Sequence, residues 1–111
     1  MQTKDFSVFR SLLTDVHAKA FGEPISKIQH SKAHTLAWLI EEATGVMLSY
    51  KSLTNYINAV LEENPAKVNP NCVTLATLTQ FATGEKSSKP MDSLLLWFKY
   101  RAGRLPGFAQ A

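Results

Sequence analysis

Along the first twenty residues, Phe6, Phe9, Leu12, Leu13, Val16 and Ala20 recur at steps of three and four. That spacing places them on one face of a helix. Asp5 offers a start and Gly22 a stop, so the pattern predicts a helix over about 5–21. The stretch GEPISKIQH holds Pro24 and no period and reads as a connector. A second helix is expected over about 32–43. Ser31 is placed to cap it, Leu36, Leu39, Ile40 and Ala43 form its inner face, and Gly45 suits the left-handed position past its end. Ser49 then caps a third helix running to about Glu62, with Leu53, Tyr56, Ile57, Val60 and Leu61 inward. Pro65 and Pro70 forbid its continuation. Asn71 caps a fourth helix, Cys72 to Thr83, on Leu75, Leu78 and Phe81, and Gly84 ends it. After the polar loop EKSSKP, Pro90 fits the first turn of a fifth helix. It is expected to reach about Arg101, with Leu94, Leu95 and Phe98 closing the core and Trp97 and Tyr100 partly exposed.

No segment alternates with period two, so the fold class is all-α, a compact bundle of about five short helices. A single domain is expected over residues 1–102, with 103–111 an irregular tail carrying Gly103, Pro106 and Gly107. At 111 residues with 45% apolar content, the chain can bury a real core without staples. A single cysteine, Cys72, allows no internal disulfide. With no secretory h-region at 1–10, it points to a cytoplasmic setting. The longest apolar run, Leu94–Phe98, is far too short to span a membrane.

Charge changes the picture more by place than by total. The net charge is +3. Residues 31–64 hold two Lys and four Glu, whereas 65–111 hold six basic and two acidic groups. On a wheel of the third helix, the face opposite Leu53, Tyr56, Ile57 and Val60 carries Lys51, Asn55 and Asn58, flanked by Ser52 and Thr54. Asn pairs bidentately with adenine, Lys meets guanine or phosphate, and Ser and Thr suit either. Ser49 and Tyr50 sit at the helix N-terminus, whose N–H groups can meet a phosphate. Base reading is therefore assigned to Lys51, Thr54, Asn55 and Asn58, and phosphate anchoring to Ser49, Tyr50, Lys32 and Lys67. Against duplex DNA stand Glu41, Glu42, Glu62 and Glu63, which repel phosphates unless they lie away from them.

The stretches LAWLIEEATGVMLSYKSLTNYINAV and VNPNCVTLATLTQFATG resemble small bacterial helix-turn-helix domains similar to the lambda-repressor-like DNA-binding family. The matching elements are Gly45-Val46, then Ser49, Ser52 and Leu53, then Pro70, Thr74, Leu75 and Leu78, within roughly residues 31–84. The resemblance implies a helix-turn-helix over about 32–62 and binding of double-stranded DNA, in a regulator or as the targeting domain of a larger protein. Two departures stand out. Family members often carry a basic residue where Asn55 or Tyr56 stands, and here Gly84 leads into Glu85.

Other constellations add less. His30 and His34 are four apart, a spacing that can share a metal ion on a helix, but no third ligand is near in sequence and no metal or cofactor is assigned. His17 reads as a satisfied packing residue. Cys72 opens a helix without an evident partner base. No phosphate loop, carboxylate pair or nucleophile elbow occurs, so no enzyme is expected. The alternative function is an adaptor or self-assembly domain. In it, the acidic Glu62 and Glu63 of one copy meet Arg101 and Arg104 of another, head to tail.

Overall fold

The computed structural model describes residues 1–85 and 90–104, with side chains of the last helix from Leu94 onward. Five α-helices and one 3-10 turn make up the described chain: α1 (Thr3–Phe21), α2 (His30–Thr44), α3 (Tyr50–Leu61), the 3-10 turn (Pro65–Lys67), α4 (Cys72–Thr83) and α5 (Pro90–Arg104). The fold is all-α. No helix among the described residues is long and apolar enough to cross a membrane.

The punctuation is local chemistry. The Lys51 N–H donates to Ser49 Oγ at 3.2 Å, and the Thr74 N–H donates to Asn71 Oδ1 at 2.8 Å. Both satisfy donors that a helix start leaves open. At Gly45, φ is 77° and its N–H donates to Glu41 O at 2.8 Å, closing α2 in the left-handed conformation. The start of α2 differs from expectation. Ser31 lies inside the helix, and the cap position is Gln29, whose side chain makes no capping hydrogen bond.

The core is assembled around α4. It packs against α1, α2 and α5, while α3 packs against α2 and α1. Phe9, Leu12, Leu13 and Val16 of α1 meet Ala33, Leu36 and Ile40 of α2, Leu53, Ile57 and Val60 of α3, and Leu78 of α4, all essentially inaccessible to water. Burial of each Val, Leu, Ile or Phe side chain among them stabilises the fold by about 1.5–3 kcal/mol. Phe9 and Tyr56 meet edge to face with centroids 5.5 Å apart, fastening α3 to α1.

Several expected faces are corrected. Ala43 is exposed and Leu39 only half-buried, because α2 turns Ala33, Leu36 and Ile40 to the core. Leu61 is 41% exposed at the last position of α3. In α5 the wheel is rotated: Trp97 is buried at 5%, whereas Leu95 and Phe98 are 59% and 56% exposed. The helix also continues through Gly103 and Arg104, beyond the expected end of the domain at 102. The rest of the expected tail, 105–111, and residues 86–89 of the loop lie outside the described residues.

Electrostatic contacts set the seat of α5. The Tyr100 hydroxyl donates to Asp15 Oδ2 at 2.6 Å and lies 3.1 Å from Ser11 Oγ. Burial, then the bond to Asp15, pushes the Tyr100 phenol above its ordinary range. Arg101 Nε donates to Asp5 Oδ1 at 2.6 Å, and Arg104 reaches Asp15 Oδ2 at 3.2 Å. The two arginines assigned to another copy are thus engaged by α1 of their own chain.

Candidate nucleic-acid interface

α2 and α3 are joined by residues 45–49, and the apolar side of α3 fixes which residues face outward. With Leu53, Ile57, Ala59 and Val60 buried, Lys51 and Asn55 are exposed, and Thr54 and Asn58 are half-buried at the edges. Two open grooves flank this face. One, of about 400 Å³, is lined by His30, Tyr50, Lys51, Thr54 and Asn55. The other, of about 280 Å³, is lined by Asn55, Asn58, Ala59, Glu62 and Lys67. Asn55 is the wall they share. Four assigned base readers and two assigned anchors, Tyr50 and Lys67, therefore border one continuous surface.

Their hydrogen-bonding capacity differs. Thr54 Oγ1 donates to Tyr50 O at 2.9 Å, so its proton is spent on the helix and only its lone pairs face outward. Ser49 uses its oxygen as the α3 cap and lines neither groove. Among the described residues, the side chains of Lys51, Asn55 and Asn58 make no hydrogen bond or ion pair. Lys32 does not join them. It donates to Glu23 Oε1 at 2.7 Å, and its ammonium lies 4.7 Å from the Phe21 ring centre. That bond holds the Glu23 carboxyl below its ordinary range. Lys32 borders neither groove because α2 turns it toward the end of α1.

Two of the four opposing carboxylates, Glu62 and Glu63, are paired. Glu62 accepts from Lys67 at 2.9 Å, and Glu63 accepts from Arg10 at 2.7 Å. Both pairs are exposed and worth about 0–1 kcal/mol each, but they cancel charge locally. Arg10 and Lys67 both come from outside residues 31–64, so the acidic excess of that segment is partly offset in three dimensions, while Glu23, also from outside, takes up Lys32. Glu42 lines a separate groove with Lys19, Leu39 and Phe81. The four residues of the head-to-tail scheme, Glu62, Glu63, Arg101 and Arg104, each pair with an opposite charge within the chain.

Sequence reasoning missed the aromatic wall of the larger groove. Tyr50 stacks on His34 with centroids 3.8 Å apart and meets His30 edge-on at 5.0 Å. The signal was present as two histidines one turn apart opposite an aromatic residue opening the next helix. What the linear sequence could not show was that the connector folds Tyr50 back over them. His17 is also less satisfied than expected: Nδ1–H donates to Glu23 O at 3.0 Å, but Nε2 is buried without a partner. Cys72 is free and exposed at the first residue of α4.

In comparisons with protein-family models, curated proteins and solved structures, the chain matched none.

Proposed function

We propose that the chain is a DNA-binding module of helix-turn-helix type that lays the outer face of α3 in the major groove of a duplex. The observation that carries this reading is the convergence of Lys51, Asn55 and Asn58 on one face, with their polar atoms uncommitted to other described residues. The nearby Glu62 and Glu63 are held in ion pairs. A major groove about 12 Å wide admits one helix, and between Lys51 and Asn58 α3 exposes no large aliphatic side chain. Asn55 and Asn58 read base edges, and Lys51 meets guanine or phosphate. The N–H groups at the start of α3 receive a phosphate beside Tyr50.

The test is selection from random duplexes at physiological salt, followed by affinity measurements across a salt series. A recovered motif is expected, with affinity falling as salt rises because each neutralised phosphate releases counterion. Asn55→Ala and Asn58→Ala should relax base preference, and Lys51→Ala should weaken binding. Lys32→Ala, turned away from the face, should change little. Failure to recover a motif, with salt-insensitive weak binding and a mass that rises with concentration, would replace this reading with an assembly role.

A further inference from the structure

His30 and His34 stand one turn apart at the start of α2, and their Nε2 atoms are 3.1 Å from each other. The rings are not left to wander. Tyr50 stacks on His34 at 28° between planes and meets His30 at 80°, while the imidazoles lie at 70° to one another. Both residues remain exposed on their outer side.

Imidazole nitrogens are the commonest protein ligands for transition ions, at about 2.0–2.1 Å for zinc. Two nitrogens 3.1 Å apart, each at that distance from one ion, subtend about 100° at it. This lies between the right angle of a tetragonal site and the tetrahedral angle. Without an ion, the same separation serves a hydrogen bond, with one ring N–H donating to the other ring's lone pair. When the donor ring carries its proton on Nδ1 instead, both Nε2 lone pairs are free and an ion takes both, each imidazole staying neutral. We propose that His30 and His34 form a two-point site for a late first-row divalent ion, Cu²⁺, Ni²⁺ or Zn²⁺, whose other positions are filled by water. The proposal does not rest on DNA binding, since it needs only α2 and Tyr50. No group of three or more His, Cys, Asp and Glu that could hold an ion occurs among the described residues, so the site is open rather than a closed structural cage. The positive end of α2 and Lys51, which shares a groove with His30, both oppose a cation. Only ions that bond strongly to nitrogen overcome this, so Mg²⁺ is excluded.

The experiment is calorimetric titration of the chain with CuCl₂, NiCl₂, ZnCl₂ and MgCl₂, repeated with Cys72→Ser to remove the exposed thiol. One ion per chain is expected, tightest for Cu²⁺, with no heat from Mg²⁺ and no loss on Cys72→Ser. His30→Ala and His34→Ala should each weaken Ni²⁺ binding at least tenfold. Substoichiometric Cu²⁺ added to the unaltered chain should broaden the imidazole resonances of His30 and His34 before those of His17. That readout stands even if a variant misfolds. Equal Ni²⁺ affinity in both histidine variants, loss of binding in Cys72→Ser, or broadening centred elsewhere would overturn the site.

Discussion

α3 and α4 are both twelve residues long, and both begin on a side-chain cap. They use their polar residues in opposite ways. In α4, Thr74, Thr77 and Thr79 are buried along with Leu75, Ala76, Leu78 and Phe81. Two of these hydroxyls turn back on their own helix: Thr77 donates to Val73 O at 2.7 Å, and Thr79 donates to Leu75 O at 2.7 Å. This internal satisfaction lets a helix with so many hydroxyls sit at the centre of the bundle, because a buried hydroxyl without a partner is costly. In α3, the polar residues line one outward face, and Lys51, Asn55 and Asn58 keep their groups for solvent or a ligand. One helix consumes its hydrogen bonds in the scaffold; the other presents them.

The hardest test of that division is a charge in each helix. Thr79→Asp puts a carboxylate at a position with no access to water, and is expected to cost about 3 kcal/mol or more, or to abolish folding. Asn55→Asp, on the exposed face of α3, should stay within about 0.5 kcal/mol. Urea unfolding measures both. Comparable losses would mean that α3 is not the free face it is taken for.

Truncating the apolar side of each helix sharpens the contrast. Leu53→Ala and Leu78→Ala should each cost about 2–5 kcal/mol, both side chains being fully buried. Leu78 is enclosed on a helix that packs against three others, so its cavity has less room to collapse and its loss should be the larger. A greater loss at Leu53 in thermal melts would reverse the assignment of α4 as the central element.

Smaller effects are expected at the two caps. Ser49→Ala and Asn71→Ala should each cost about 1 kcal/mol. Asn71 makes the shorter bond and opens the central helix, so it should lie at the upper end of that range. Neutral behaviour of both in denaturant titrations would mean that flanking packing, not capping, sets the helix starts.

These caps were legible in the sequence because capping is decided within four residues. The glycine stops at Gly22, Gly45 and Gly84 were legible for the same reason. The outward face of α3 was legible too, since Leu53, Ile57 and Val60 leave only one way to orient it. The burial of α4's threonines was not. A hydroxyl that bonds to its own helix leaves no trace in a polarity pattern. In α5 the run Leu94–Phe98 is apolar on every side, so the choice of Trp97 over Leu95 and Phe98 belongs to the elements it meets. The ion pairs of Arg101 with Asp5 and Arg104 with Asp15 join residues nearly the whole chain apart, beyond any local pattern. So does the pairing of Arg10 with Glu63, which alters the electrostatics of the candidate interface.

The smallest expected effect on stability tests the functional half of the comparison. Asn55→Ala removes an exposed side chain that makes no hydrogen bond among the described residues, so unfolding free energy should change by less than about 0.5 kcal/mol. If α3 reads DNA, the same substitution should cost about 1–3 kcal/mol of discrimination at one base position, as expected for loss of a bidentate contact. Thr79→Val serves as the counterpart: it removes a hydroxyl already spent inside the fold and should leave base preference untouched. Measuring stability and binding on the two variants separates a helix that presents hydrogen bonds from one that consumes them. If Asn55→Ala is silent in both measurements while duplex binding persists, base reading lies on a surface other than α3.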